Sequence, residues 1–365
     1  MHNDLPGGPG TTIATTIADV AARAGVSIRT VSRVLNRSPL VNAETREKVE
    51  GVIAALRFRP SARARGLATG RSYLLGLVHN DRNALVLDPL QRGVVREAAA
   101  RGYELVVHPV ATDAADVSGD VTDFVERSRV DGVVVVPPVS GVADLPARLR
   151  AAGVPSVALS SVALHGYDAM LVSDERGAAA AVAAHLLALG HRRIALLSGP
   201  VATHSARERR TGFVTALAAQ GVTLLAEASG DYGFDSGVAG AQALLAGTER
   251  PTAIFAANDV MAAAVLKVAA RCNLAVPRDL SVVGFDGSIL AQMLTPALTT
   301  IRRPIADMAA HVTRSLIDRI EGVPTATVPP AALELVVQGS TGPAPPSDNA
   351  VRHHETPRSA QPSQP

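Results

Sequence analysis

One cysteine, no tryptophan, two lysines and no long apolar run set the first limits on this 365-residue chain. Cys272 alone excludes an internal disulfide framework and a Cys-based zinc site, and it fits a reducing compartment. Aromatic residues make up 3% of the chain, so a core has to be built from Ala, Val, Leu and Ile. With 47% hydrophobic and 19% charged residues, such a core can be large, which excludes wholesale disorder. No apolar run approaches the ~20 residues of a membrane span. Met1 to Gly10 is polar and rich in Gly and Pro, without a basic-then-apolar export pattern, so the protein is expected to be cytoplasmic. The scarcity of lysine also bears on catalysis. A Walker phosphate loop requires Gly-Lys, yet Lys48 follows Glu47 and Lys267 follows Leu266. No Gly-x-Gly-x-x-Gly follows the first strand and no His-Glu-x-x-His occurs. His185 and His191 fall in a helix and its exit, where a structural or surface role outweighs metal ligation. The expectation is a protein that is not an enzyme and needs no cofactor or metal.

What is present is unevenly placed. Through Arg71 there are eleven Lys or Arg against five Asp or Glu, a net of +6, and the remaining 24 and 28 give −4. A basic head on a mildly acidic body suggests that the head meets a polyanion, although a basic surface without a partner would look the same.

The length suits two or three domains. After an expected disordered extension over 1–12, residues 13–59 read as three short helices. Thr16 can cap the first, with Asp19 as its capping-box partner and Ile17, Val20, Ala21 and Ala24 facing inward. Gly25 interrupts the pattern. Ser27 caps a second helix with Val31, Val34 and Leu35 inward, and Asn42 caps a third with Val49, Val52, Ile53 and Leu56 inward. From Tyr73 the pattern becomes apolar strands alternating with amphipathic helices. The first series is Leu74–Val78, Glu104–His108, Gly132–Val136, Ser156–Ser160 and Ala169–Val172. The second is Arg193–Leu197, Val222–Leu225, Ala253–Ala257 and Ser281–Phe285. Two tandem series of this kind predict an α/β core of two doubly wound parallel-sheet lobes with a cleft between them. A late helix at Ile305–Ile320 and a late strand at Leu333–Val337 predict more than one crossing between lobes. Lobe 1 is therefore expected at about 73–172 plus 302–322, and lobe 2 at about 173–301 plus 323–340, within a core of 72–340. Residues 341–365 read as a disordered tail.

The helix pair around Gly25 has helix-turn-helix spacing, in which the second helix enters the major groove. With Val31, Val34 and Leu35 inward, Arg29, Arg33 and Asn36 lie on the exposed face. Arg can grip a guanine edge, Asn an adenine or a phosphate, and Ser27 at a helix N-terminus suits a backbone phosphate. The bland reading is a three-helix bundle with a solvated charged face. Residues 60–71 form a second basic segment, with Arg63, Arg65 and Leu67. A helix this short is unstable alone but could form against a surface, where Leu67 could wedge between base steps in the minor groove. A flexible basic linker is the alternative.

Several stretches together resemble the lactose-repressor (LacI/GalR) family of bacterial transcription regulators. They are Thr16-Ile17-Ala18-Asp19-Val20-Ala21 through Thr30-Val31-Ser32-Arg33-Val34-Leu35-Asn36, and Arg59-Pro60-Ser61 through Ala64-Arg65-Gly66-Leu67. In the core they are Leu189-Gly190-His191-Arg192-Arg193-Ile194-Ala195, Ala257-Asn258-Asp259, Ser281-Val282-Val283-Gly284-Phe285-Asp286 and Leu298-Thr299-Thr300-Ile301-Arg302. The resemblance covers about residues 13–340. It implies a homodimer that reads a pseudo-palindromic double-stranded operator, usually as a repressor, with a periplasmic-binding-protein-like core that takes a small effector, expected to be a carbohydrate. By motif position, Ile28, Arg29 and Arg33 should read bases, with Thr16, Ser27, Thr30, Asn36 and Arg65 among the DNA contacts and Leu67 as the wedge. In the core, Arg207 resembles the effector-binding arginine, Asn258 and Asp286 the polar ligands, and Tyr232 the stacking ring; Asn80 and Ser160 complete the expected set. Taken singly, Asp286 could equally be a strand-end cap. Two positions depart from the pattern of sugar-responsive members: Ser160 stands where many have Asp, and Gly287 follows Asp286 where a second Asp is common. The tail beyond Ser340 has no leucine heptad, so a coiled-coil tetramer is not expected. A solute-binding protein serving a transporter is the contrasting reading, opposed by the basic head and the missing export pattern.

Overall fold

Three side-chain caps start the N-terminal helices, and each is read directly from spacing. The computed structural model describes residues 15–35, 38–58, 70–80, 83–111, 114–324 and 330–346. Contacts divide the chain into Met1–Tyr73 and Leu74–Pro365. In the first unit, α1 (Ile17–Ala24) begins at Thr16, whose hydroxyl accepts from the Asp19 N–H while the Asp19 carboxylate accepts from the Thr16 N–H. Gly25 ends it at φ +65°, a left-handed cap that suits a residue without Cβ. The Thr30 N–H donates to Ser27 Oγ at 3.1 Å at the start of α2 (Ile28–Leu35), and the Thr45 N–H to Asn42 Oδ1 at 2.8 Å at the start of α3 (Ala43–Ala55). Val20, Ala21, Ala24, Val31, Val34 and Val49 bury together, and Phe58 closes the cluster.

In the second unit, lobe 1 is a five-stranded parallel sheet of order β2-β1-β3-β4-β5. Its strands are β1 (Leu74–His79), β2 (Glu104–Pro109), β3 (Gly132–Val135), β4 (Ser156–Ser160) and β5 (Ala169–Val172), with α4 (Ala84–Ala100), α5 (Val117–Ser128) and α6 (Leu145–Ala151) between them. Lobe 2 is a six-stranded sheet of order β11-β10-β9-β8-β6-β7, parallel except for β11. Its elements are α7 (Glu175–Ala188), β6 (Ile194–Ser198), α8 (His204–Ala218), β7 (Ala226–Ser229), α9 (Phe234–Leu245), β8 (Ala253–Ala256), α10 (Asp259–Arg271), β9 (Ser281–Asp286), α11 (Ile289–Met293) and β10 (Thr299–Arg302). The central strands β3, β4, β6, β8 and β9 are buried along their whole length, as parallel strands covered on both faces must be.

After β10 the chain returns to lobe 1 as α12 (Ile305–Glu321), which packs on α4, β3, β4 and β5. Arg314 pairs with Glu97 at 3.0 Å and Arg101 with Asp318 at 3.0 Å along the α4 contact. The chain then ends in lobe 2 with β11 (Glu334–Val336).

Two expectations need correction. The strand expected at Val222–Leu225 lies one step later, at Ala226–Ser229. Val222 is an anchor behind the Gly221 turn, and the edge strand itself is the polar-alternating Ala226-Glu227-Ala228-Ser229. The tail expected from 341 also starts too early. Fully buried His191 bonds Thr252, Ser281 and the Gly342 carbonyl at 2.9–3.0 Å, and the Ala344 N–H donates to Leu189 O. Residues 341–344 are thus stitched to lobe 2, whereas 1–12, 60–69 and 347–365, expected as extension, hinge and tail, lie outside the described residues.

Candidate DNA-binding surface and ligand site

Burying Val31 and Val34 turns the other side of α2 to solvent. Ile28 is 52% exposed although apolar, Arg29 is exposed, and Thr30 and Arg33 are half-buried. An isoleucine left in water beside Arg29, on a short basic helix that also carries Arg33, is a surface suited to base edges, since arginine can bond guanine and an apolar side chain can meet a thymine methyl. Ser27 and Thr30 share a hydroxyl–hydroxyl bond of 2.9 Å at the N-terminus of α2, and Thr16 is engaged in its own cap. Asn36, Arg65 and Leu67 lie outside the described residues.

In the core, the expected ligand residues other than Arg207 come from the carboxyl ends of strands or the turns after them, where open parallel sheets place their ligands. Asn80 follows β1, Ser160 ends β4, Tyr232 follows β7, Asn258 follows β8 and Asp286 ends β9. Asn258 serves as scaffolding: its Oδ1 accepts from the Met261 N–H, capping α10, and its Nδ2 donates to the Tyr232 carbonyl at 2.9 Å. Tyr232 stands at φ +71° with its ring against Gly199. Asp286 stands at φ +118°, a conformation that L-residues adopt only when held. It is held by its surroundings. Asp259 accepts from the Ser288 N–H, the Ser288 hydroxyl and the Thr300 hydroxyl at 2.6–2.8 Å, fixing the following turn. Gly287 lets β10 close in, because a Cβ there would lie 2.6 Å from Arg302 Cα. That contact is the physical reason the chain carries Gly287 at this point. Burial and the nearby Asp286 carboxylate push the Asp259 carboxyl up to about 7, against its three hydrogen bonds.

Arg207, expected in this site, is not there. Its side chain is exposed and turns back to the Val201 and Ala202 carbonyls and to His204 Nδ1. Its place is taken by Arg209, on the inner face of α8 with Ala206, Gly212 and Phe213. Arg209 is buried, with Nε donating to Glu175 Oε2 at 2.8 Å and Nη1 to the Ala257 carbonyl. Its Nη2 stands 3.8 Å from Asp286 Oδ1, and its guanidinium lies 3.8 Å over the Phe285 ring and 5.9 Å from that of Tyr232. Arg303 completes the set, with Nη1 at 3.0 Å from Asp286 Oδ1 and Nη2 at 3.5 Å from Glu175 Oε1. Burial opposes the charge on Glu175, but the Arg209 and Arg303 guanidiniums outweigh it and hold the carboxyl below its ordinary value. Two arginines and two carboxylates balance, so the cluster has no net charge to be neutralised from outside. Within the cluster, Arg303 Nε is buried without a hydrogen-bond partner among the described residues. Glu175, Arg209 and Arg303 were missed from sequence.

No described helix is long and apolar enough to cross a membrane, and no described group of His, Cys, Asp and Glu could hold a metal. A shallow hollow on lobe 1, lined by Thr122, Glu126, Arg148, Ala151 and Ala152, shares no residue with the ion cluster.

Comparison with known proteins agrees with both halves. Residues 16–61 match the family described as bacterial regulatory proteins, lacI family, and residues 183–341 the periplasmic binding protein-like domain. The HTH-type transcriptional regulator MalR of Streptomyces coelicolor is 34% identical over 345 residues, 91% of this chain and 98% of its own length. This chain belongs to the LacI family of bacterial regulatory proteins. The ribose operon repressor of Escherichia coli is 32% identical, over 84% of this chain and 93% of its own. Among solved structures, a lac repressor dimer bound to operator and the anti-inducer ONPF is 30% identical with a TM-score of 0.74, over 90% of this chain and 99% of that one. A complex of the transcriptional regulator CelR with cellobiose is 30% identical with a TM-score of 0.65, over 89% and 99%. This LacI-family protein is therefore a DNA-binding transcriptional regulator under the control of a small ligand, and not an enzyme. The solute-binding alternative falls, because the relatives match head and core alike and are regulators.

Proposed function

We propose that the protein is a cytoplasmic repressor that binds a pseudo-palindromic operator as a homodimer, and that a neutral sugar held between its lobes sets its operator affinity. The observation that carries the ligand class is the charge-balanced cluster. Arg209 and Asp286 offer a donor fork and a carboxylate to adjacent hydroxyls, Tyr232 offers a ring to an apolar sugar face, and Glu175 and Arg303 already neutralise the pair. An anionic ligand would have to displace Glu175, a fully buried carboxylate held by two guanidiniums. Asn80 and Ser160 bring uncharged polar groups from lobe 1, which suits hydroxyls. Support comes also from relatives whose names and complexes refer to ribose and cellobiose. At the DNA, Ile28, Arg29 and Arg33 read base edges while Thr16, Ser27 and Thr30 lie along phosphates.

The test is fluorescence anisotropy of the DNA segment upstream of the protein's own reading frame, with and without D-ribose, maltose and cellobiose. A complex that weakens steeply with salt, and whose affinity changes at least tenfold with one sugar, is expected. No binding at low ionic strength, or binding indifferent to all three sugars while a sugar phosphate alters it, would overturn the reading.

A further inference from the structure

Two passages of chain between the lobes carry one member each of the buried ion cluster. Glu175 opens α7, directly after the chain leaves β5 of lobe 1. Arg303 lies in the return passage, between β10 of lobe 2 and α12 on lobe 1. Both side chains reach the same lobe 2 anchors, Glu175 to Arg209 and Arg303 to Asp286, and they meet each other at 3.5 Å. Backbone contacts repeat the connection. The Arg303 N–H donates to the Asp286 carbonyl at 3.2 Å, the Ser173 N–H to the Ser160 carbonyl at 2.9 Å, and the Ser173 hydroxyl lies 3.3 Å from Glu175 Oε1. The two side chains offered to a ligand are thus also the anchors of two passages on which the lobes turn.

We propose that Glu175 and Arg303 form an ionic tie that converts occupancy of Arg209 and Asp286 into a change of angle between the lobes. The inference rests on the ligand-site reading above. Arg209 donates through Nε to Glu175 and through Nη1 to Ala257, while its Nη2 stands a long 3.8 Å from Asp286 Oδ1. A ligand hydroxyl bonding Arg209 or Asp286 draws them from Glu175 and Arg303, and in a dry site each such exchange is felt strongly. What the ligand gains is withdrawn from both passages together, because Glu175 and Arg303 also hold one another. A differential interaction with two lobe arrangements is what a ligand needs to shift their populations. A cluster that served stability alone could sit away from the crossings; this one takes half of its charges from the two points at which the chain enters and leaves lobe 2.

The experiment uses full-length protein in two variants, Arg303→Gln and the double Glu175→Gln, Arg303→Gln, which keeps the remaining pair neutral if the single variant folds poorly. Hydrogen exchange is measured without ligand. The tie requires at least tenfold faster exchange across residues 173–175 and 302–305, with β6 and β8 unchanged. Calorimetric titration with D-ribose, maltose and cellobiose, and operator anisotropy, follow on the same samples. At concentrations of the wild-type sugar that the titration shows to saturate each variant, the ratio of operator affinities with and without it should fall at least fivefold. Wild-type exchange in both passages, or an unchanged ratio, overturns the tie. Should wild type bind none of these sugars, the ligand class is wrong, and the exchange comparison still decides whether the tie exists.

Discussion

Each helix cap of the DNA-binding head closes within three residues, from Thr16 to Asp19, Ser27 to Thr30 and Asn42 to Thr45. The ion cluster of the core joins residues 34 and 48 positions apart, Glu175 to Arg209 and Arg209 to Ala257. The head is specified by local chemistry and presents its functional face by burying the opposite one. The core brings charges from distant segments together, and the proposed ligand site and the interlobe passages share one cluster. Substitution in the head should therefore change one property at a time, whereas substitution in the core should change stability and regulation together.

The largest expected effect tests the second half of that contrast. Arg209→Met leaves Glu175 and Asp286 with one guanidinium between them, and breaking a buried pair in this way costs about 3–5 kcal/mol. Urea denaturation of the core should show it, and the double variant Arg209→Met, Glu175→Leu should recover most of the loss. A single variant as stable as wild type would mean that the cluster does not hold the core. Next comes Asp259→Asn. Burial and Asp286 raise the Asp259 pKa to about 7 from an ordinary 3.8, so the folded protein holds a proton that the unfolded chain has released. Its contribution is complete below pH ~4 and is lost as pH rises through ~7, by at most about 1.4 kcal/mol per pH unit. Thermal midpoints recorded from pH 5 to 9 should decline less in the Asn variant; parallel curves would contradict the assignment.

Head variants sharpen the comparison with smaller and separable effects. Arg33→Ala should lose about 1–3 kcal/mol of discrimination between the operator and a single-base variant, with the sugar response kept. Equal discrimination by wild type and variant in a competition titration would remove Arg33 from base reading. Thr16→Ala should cost about 1 kcal/mol of head stability through its cap, which chemical denaturation followed by helix signal reads. A loss of sugar response in that variant would break the contrast itself.

This contrast also explains what could be read from sequence. The three caps, the interruption at Gly25 and the inward Val31 and Val34 follow from spacing alone, and the structure shows each of them. So do the two strand series that make the parallel lobes. The strand ends were legible in the core, but the choice of Ser160, Asn258 and Asp286 among them came from the family resemblance. Arg209 was reachable by helical arithmetic: at 3.6 residues per turn it falls roughly 40° from Phe213, and Arg207 roughly 120° away. Motif position outweighed that periodicity and selected Arg207, whose side chain the structure leaves exposed. Glu175 and Arg303 carried no local signal at all, since Glu175 looks like a first-turn acid and Arg303 like one more surface arginine. Only the return of the chain from β10 to α12 brings Arg303 to Asp286.

Thermodynamic reciprocity offers the most direct measurement of ligand control. If a sugar changes operator affinity by some factor, operator must change sugar affinity by the same factor. Calorimetric titration of that sugar into free protein and into the saturated operator complex should give dissociation constants differing by the factor found in the DNA experiment. Identical sugar affinity in the two titrations would show that the cleft and the recognition helix do not communicate.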